Sequence, residues 1–302
     1  MVGGPTACGK SALALAIAEK FGGIVINADS MQIYRDLPII TARPSAADAD
    51  RAPHRLYGIL DAAGRFSAGE WRSLALDAIA EASAEGRLPI VVGGTGLYLK
   101  ALTGGLHAIP PVPAAVRRAL TADLERDGPE RLHAELSAVD PESAARLAPA
   151  DSQRIIRALE VLRHTGRGIA DWHRDSTAGP PAGFRFLNIV FRPARDELYA
   201  ACGRRFVAML AAGAADELRA FVASGPPPGC PLWKAVGVAP LRRYLAGEID
   251  EAEMIAQGQR DTRRYAKRQL TWFRHQIVSE MDIETKFMDI NFDEIFSKIS
   301  IF

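Results

Sequence analysis

Cysteine is scarce in this sequence, long apolar runs are missing, and charge of either sign is almost balanced away. The three cysteines, Cys8, Cys202 and Cys230, lie far apart with no C-x-x-C or histidine spacing. That excludes a disulfide framework and a zinc site, and it fits a reducing cytoplasm. No apolar run reaches about 18 residues and no charged-then-apolar leader is present, so neither a membrane span nor a signal peptide is expected. Net charge is +1. Any nucleic-acid partner must therefore be recognised by local basic clusters and not by a global field. Residues 277–302 contain no Ala, Gly, Pro or Arg, in a chain otherwise full of them. They read as an appended tail, helical near Phe292 to Ile299, to which no chemistry is assigned.

What is present is ordinary in bulk: 302 residues, 48% apolar and 24% charged, enough for one large or two modest domains. The distinctive stretch is Gly4-Pro5-Thr6-Ala7-Cys8-Gly9-Lys10-Ser11, with the spacing G-x-x-x-x-G-K-[ST] and an Ala/Leu-rich helical run over Ser11 to Lys20. Glycines there let successive N–H groups turn inward, and the new helix adds its positive end at the same point. Lys10 reaches outer phosphates and the Ser11 hydroxyl is placed for Mg²⁺. Chance would give such a match on the order of once in a hundred chains of this length. A plain Gly-rich turn capping a helix is the alternative. Cys8 sits at a helix N-terminus, a setting that can lower a thiol pKa, although a small residue fitting the loop is the simpler reading. Only Met1-Val2-Gly3 precede the loop, so its feeding strand is expected to be short and the start reads as clipped.

A phosphate-loop kinase or ATPase also needs an apolar strand closing in Asp or Asp-Glu. Pro89-Ile90-Val91-Val92 runs instead into Gly93-Gly94-Thr95-Gly96-Leu97-Tyr98, which turns the reading away from nucleotide hydrolysis. A buried parallel strand over 23–28 delivers Asp29-Ser30-Met31-Gln32 at its carboxyl end, where open α/β sheets bind ligands. Asp29 is thus a site candidate, with a turn or cap aspartate as the alternative. Further on, Thr41-Ala42-Arg43-Pro44 and Pro53-His54-Arg55-Leu56 lie in a loop-rich stretch. An amphipathic helix spans Ser67 to Glu85 from a Ser cap, and a strand spans Leu88 to Val92. The alternation predicts an α/β fold with a parallel, right-handed sheet.

From 109 to 185 the strand signal disappears, and helical periods over Val112 to Arg126, Glu130 to Val139 and Ser152 to Thr165 suggest a helical insertion. Arg154, Arg157, Arg163, His164, Arg167, His173 and Arg174 make it locally basic; a solvated helix face would read the same way. The sheet resumes at Phe186 to Phe191, followed by helices from Arg195 and a Pro-rich loop at Pro226 to Pro231. A last long helix over Asp250 to about Val278 interleaves Arg260, Arg263, Arg264, Lys267, Arg268 and Arg274 with Tyr265, Trp272 and Phe273. That pattern suits phosphate contacts and base stacking.

Taken together, the phosphate loop, Ala28 to Tyr34, Thr41 to Pro44, Val92 to Tyr98, Asp151-Ser152-Gln153-Arg154-Ile155-Ile156-Arg157-Ala158-Leu159-Glu160 and Ala266-Lys267-Arg268-Gln269-Leu270-Thr271-Trp272-Phe273-Arg274 resemble the tRNA dimethylallyltransferases, also called tRNA isopentenyltransferases. Six blocks in register cover roughly residues 4 to 275. The resemblance implies a P-loop NTPase-like core over 1–108 and 186–276, with 109–185 as a helical insertion contacting the tRNA anticodon stem-loop. It implies transfer of a dimethylallyl group from its diphosphate to N6 of the adenosine 3′-adjacent to the anticodon, by a cytoplasmic monomer using Mg²⁺ at Ser11. Asp29 resembles the general base and Thr95 a hydroxyl near the reacting diphosphate oxygen, while Lys10, the loop residues Gly4 to Ser11 and Arg205 resemble the diphosphate site. Ser30, Met31, Gln32, Arg117, Gln153, Arg154, Arg157, Lys234, Gly237, Lys267, Arg268, Gln269, Trp272 and Arg274 match RNA-contacting positions. The departures are Gly237-Val238-Ala239-Pro240 where relatives carry Gly-Tyr, Ala201 in place of an arginine, which implies weaker donor affinity, and Gly58 in place of an aspartate. A small-molecule P-loop kinase and a non-catalytic RNA-binding protein remain as alternatives.

Overall fold

The computed structural model describes residues 1–107, 109–175, 179–284 and 290–302. These fall into two compact units, Met1–Thr103 with Pro181–Phe302, and Gly104–Pro180. The first unit opens with β1 (Val2–Gly3), α1 (Lys10–Phe21), β2 (Ile24–Asn27), the short α2 (Pro38–Thr41) and α3 (Ala46–Arg51), β3 (His54–Arg55), α4 (Ala68–Ala84), β4 (Pro89–Gly93) and α5 (Gly96–Gly104). The second unit holds α6 (Ala114–Val139), α7 (Pro141–Ala144), α8 (Ser152–Thr165) and α9 (Ile169–Asp175). The first then resumes with β5 (Ile189–Phe191), α10 (Arg195–Ala211), α11 (Ala214–Ala223), a 3-10 turn at Pro231–Lys234, α12 (Val238–Leu245), α13 (Glu251–Gln276), β6 (Met281–Ile283) and α14 (Phe292–Ile301).

The strands form one sheet in the order β3-β2-β4-β1-β5-β6, and every pairing is parallel. This is the α/β class with a parallel sheet that the strand–helix alternation predicts, and the P-loop-like core that the family resemblance implies. All four residues of β2 are buried, the pattern of a parallel strand covered on both faces. β1 has only two residues, yet it lies between β4 and β5, with Val2 opposite Val92 and Ile189. Since β2 lies to one side of β1 and β5 to the other, the chain reverses direction here. That topological switch point opens a crevice at the carboxyl edge of the sheet.

Three details differ from the sequence reading. The loop-rich stretch before residue 60 contains β3, whose His54 and Arg55 extend the sheet beside β2. The strand expected over Phe186 to Phe191 is shorter, because Asn188 is used differently. Its N–H donates to Glu280, its side-chain amide donates to the Val278 carbonyl, and its carbonyl accepts from Glu280 and Met281. The tail, read as an appendage, is part of the core: β6 pairs with β5, and Ile283 and Ile295 are buried among Val2, Leu13 and Ile189.

Within the second unit, α6 is two helices joined at a kink, where Gly128 adopts φ 79° and Pro129 follows. This is the break between the two helical periods read from the sequence. Leu120, Leu132 and Leu136 of α6 pack with Ile155, Ile156 and Leu159 of α8. Among the described residues, no helix is long and apolar enough to cross a membrane.

Candidate functional site

The three neighbouring strands β2, β4 and β1 end side by side, and each delivers one part of the site. After β1 comes the phosphate loop. Ala7 and Gly9 both take left-handed backbone, at φ 64° and 94°, and Gly9 caps α1. A non-glycine residue in that region stores of order 1 kcal/mol of strain, as is found in loops shaped for a ligand. No acidic residue occupies the first turn of α1 to neutralise its positive end. Lys10 donates to the Pro5 carbonyl at 3.2 Å, which folds its ammonium back over the loop. Ser11 is exposed at the helix start, and Gly4, Pro5 and Cys8 are buried. Burial, partly offset by Lys10, raises the Cys8 thiol above its usual pKa, so the loop does not activate it.

After β2 comes Asp29, held by a residue that sequence reasoning missed. Asn27 is fully buried; its side chain accepts the Asp29 N–H at 2.8 Å and donates to the carbonyls of Asp29 and Leu56 at 3.0 Å. The Asn27 carbonyl accepts from the indole of buried Trp71. Asp29 Oδ1 in turn accepts the Met31 N–H at 2.9 Å, an Asx turn that fixes the carboxylate. The turn reading of Asp29 is met by this geometry, and the same side chain lines the cavity described below.

After β4 comes the Gly93-Gly94-Thr95 turn. A Cβ on Gly93 would lie 2.0 Å from the Ala28 carbonyl oxygen, so only glycine lets the β4 end approach the Asp29 loop this closely. The Thr95 hydroxyl accepts the Ser30 N–H at 2.9 Å and donates to the Ser30 hydroxyl at 3.2 Å. Thr95 therefore ties the second delivered loop to the third.

A cavity of about 180 Å³ opens over these strand ends. Its charged lining is Lys10, Arg205, Lys234 and Arg268 against the single carboxylate of Asp29. Its apolar lining includes Met31, Ile40, Phe206, Met209 and Val236. Lys10 and Arg205 are half-buried, and neither joins an ion pair among the described residues. Desolvation pulls both below their usual pKa values, and the Asp29 charge works against that pull. Two half-buried cations with no ion-pair partner among the described residues give this cavity an excess of positive charge beside its apolar wall. A second cavity is lined by Ser30, Gly94, Thr95, Gly96 and Leu97, and it shares Tyr265 and Arg268 of α13 with the first. Tyr265, one of the aromatics that the sequence interleaves with basic residues on this helix, thus borders both cavities. Burial chiefly, with Asp29 adding to it, lifts its phenol above the usual range.

No group of three His, Cys, Asp or Glu side chains suited to a metal occurs among the described residues. The one oxygen donor at the start of α1 is the Ser11 hydroxyl, which lines the first cavity. Mg²⁺ keeps several waters and takes the remainder of its shell from substrate phosphates, so this sparse donor set fits it.

The positions matched to RNA contacts divide between the units. Arg117 lies on α6, and Gln153, Arg154 and Arg157 lie on α8. Glu160, buried at 2% exposure, pairs with Arg157 at 2.7 Å and Arg117 at 3.5 Å. Exposed Lys267, Arg268 and Arg274 and half-buried Trp272 share α13, whose outer face carries a shallow cavity lined by Arg264, Lys267, Thr271, Trp272 and His275. Exposed Lys234 lines the first cavity, as do Met31 and Gln32, while Ser30 lines the second. The Gln32 amide donates inward to the carbonyls of Thr41 and Ala42.

Two matched positions do not present a side chain to a ligand. Gly237 is buried at φ 96° as the cap of α12. Gln269 is buried, and both ends of its amide are taken by backbone. Of the departures, Gly58 has φ 60° and leaves space for the Arg43 guanidinium, which donates to the carbonyls of Tyr34 and Arg35. Ala201 is half-buried one helical turn before Arg205, so that face of α10 presents a single arginine there.

A parallel sheet with its phosphate loop, anion cavity and single carboxylate gathered at the switch point defines a P-loop-type α/β protein with a helical insertion. The family model for IPP transferase matches residues 32–276. The tRNA dimethylallyltransferase of Rhodospirillum centenum is 54% identical over 279 residues, covering 92% of this chain and 89% of that protein. One from Rhodopseudomonas palustris is 55% identical, covering 92% and 86%. Among solved structures, the tRNA isopentenylpyrophosphate transferase of Bacillus halodurans matches with TM-score 0.67 and 35% identity, covering 99% of this chain and 92% of that one. A eukaryotic dimethylallyltransferase described as acting on tRNA matches with TM-score 0.78 and 25% identity, covering 99% and 76%. The chain belongs to the IPP transferase family, the tRNA dimethylallyltransferases.

Proposed function

We propose that this protein transfers a dimethylallyl group from dimethylallyl diphosphate to N6 of the adenosine 3′-adjacent to the anticodon of tRNA, releasing diphosphate. The observation that carries the reading is the first cavity, where half-buried Lys10 and Arg205 line the same pocket as one carboxylate, Asp29, beside an apolar wall. The loop amides, Lys10 and Arg205 bind the diphosphate, and the apolar wall takes the prenyl chain. Adenine N6 is a poor nucleophile because its lone pair is delocalised into the ring. Its bond to the allylic carbon forms as the carbon–oxygen bond to diphosphate breaks, and the N6 proton passes to the Asp29 carboxylate. Lys10 and Arg205 stabilise the charge that collects on the departing diphosphate. Ser11 would hold Mg²⁺, which supplies further neutralisation of that charge when bound.

A stacked base cannot reach this edge of the sheet, so the adenosine is extruded from its loop. It enters by the second cavity, whose wall of Tyr265 and Arg268 borders the first. The basic residues of α6, α8 and α13 contact the RNA backbone, and Trp272 offers a stacking surface. We take the protein to act in the cytoplasm as a monomer. A kinase reading finds no acid at the end of β4, which closes on Gly93.

The test is a mass spectrum of an anticodon stem-loop RNA after incubation with protein, Mg²⁺ and dimethylallyl diphosphate. A gain of one prenyl group on the adenosine 3′ of the anticodon supports the reading. RNA that binds unaltered would favour a binding protein, and ATP-dependent phosphate transfer would favour a kinase.

A further inference from the structure

The buried amide of Gln269 joins two loops that are remote in sequence. Its Oε1 accepts the Thr6 N–H at 2.8 Å, inside the phosphate loop, and its Nε2 donates to the Gly94 carbonyl at 2.8 Å, in the turn that carries Thr95. With only 7% of the residue exposed, neither bond competes with water. The neighbouring contacts are equally close. A Cβ at Gly94 would lie 2.3 Å from Gln269 Nε2, and a Cβ at Gly96 would lie 2.1 Å from the Trp272 ring. Gln269, Trp272 and Phe273 follow i, i+3, i+4 spacing and so share one face of α13. Lys267, Arg268 and Arg274 on the same helix remain exposed. One helix therefore presents cations outward while its inner face sets the separation of the phosphate loop and the Thr95 turn.

We propose that Gln269 is a positioning residue for the transfer reaction and not an RNA ligand: its amide holds the phosphate loop and the Gly94–Thr95 turn in register with α13. The proposal rests on the functional reading above for the identity of the two substrates. The β1–β4 pairing fixes the two loops only up to Gly3 and Gly93; without the amide, the Thr6 N–H and Gly94 carbonyl beyond it lose the side-chain bridge between them, and the diphosphate cradle is less well pre-shaped.

Two variants test it. Gln269→Met keeps the length and bulk of the side chain and removes both hydrogen bonds; Gln269→Asn keeps the amide but withdraws it by one methylene. The readouts are calorimetric titration with inorganic diphosphate, binding of an anticodon stem-loop RNA, steady-state transfer kinetics and thermal melting. Both variants should bind inorganic diphosphate about tenfold more weakly and raise the donor KM by a similar factor. Both should keep kcat within about threefold and RNA Kd within about twofold. Wild-type diphosphate affinity in Gln269→Met would overturn the proposal, because packing would then suffice. RNA affinity falling in step with diphosphate affinity would overturn it too, since Gln269 would then serve the RNA. If the Met variant does not fold, the Asn variant carries the same comparison. Wild-type protein that transfers no prenyl group, with diphosphate binding weakened in both variants, would remove the functional reading and leave the role of Gln269 standing.

Discussion

Asp29 combines two demands on one carboxylate. Its Oδ1 is committed to the Met31 N–H, which orients the group, and Asp29 is the one acidic residue lining a cavity that also holds Lys10 and Arg205. Asp29→Asn preserves the turn and removes the proton acceptor. Turnover should fall on the order of 10² or more while RNA affinity stays within a few-fold. Single-turnover transfer alongside RNA binding checks this, and undiminished turnover would remove Asp29 from the base role. Lys10 gives a pH prediction. Burial lowers its pKa from the ordinary 10.5, so the ammonium loses its proton at lower pH than an exposed lysine would. Affinity for the donor should therefore be full below that lowered value and fall as pH rises through it. Arg in place of Lys10 keeps its charge throughout. A profile of donor KM against pH should lose its alkaline limb in Lys10→Arg, and an identical limb in both proteins would assign the titration to another group.

The helices of the second unit show how a buried acid can organise exposed cations. Glu160 lies in the packed face of α8, and Arg157 and Arg117 reach it from the same helix and from α6, each close to half exposed. Its value lies less in stability, since partly exposed pairs contribute modestly, than in fixing the direction of two guanidinium groups. Glu160→Gln leaves both positive charges in place but loosens them. RNA affinity should fall several-fold with the salt dependence unchanged, whereas Arg157→Ala should reduce the slope of log K against log salt by about 0.7–0.9. Fluorescence titrations of the stem-loop over a salt series separate the two, and an unaltered affinity in Glu160→Gln would show that the arginines need no anchor.

At the scale of the whole molecule, the stretch with the most foreign composition completes the sheet. β6 covers the edge of β5, Ile283 and Ile295 enter the core beside Val2 and Ile189, and Phe296 meets Phe21 edge-on at 5.6 Å. Burying each such side chain is worth about 1.5–3 kcal/mol. Removing residues 277–302 should therefore cost a large share of a total stability that is typically about 5–15 kcal/mol. It would also expose a strand edge prone to pair with other chains. Calorimetric melting and size exclusion should show a protein that unfolds well below the full chain or aggregates. A truncated protein with an unchanged melting temperature would make the tail dispensable.

What the sequence determined by itself is local. The phosphate loop is written in eight consecutive residues because cradling a phosphate is a matter of backbone direction over one turn and the start of one helix. The strand ending in Asp29, the Gly93-Gly94-Thr95 turn and the break between the two halves of α6 are legible for the same reason: each rests on neighbours within a few positions. The tertiary structure decided what those pieces do to one another. Gln269 meets Thr6 across 263 positions and Gly94 across 175, and Thr95 meets Ser30 across 65. A glutamine on a basic helix has the same one-letter appearance whether it faces RNA or braces a loop. β3 and β6, with two and three residues, are too short to show a period, and they exist as strands only because β2 and β5 offer unpaired backbone beside them. Hydrogen bonds and burial between distant segments are set by the packed chain, and no local pattern records them.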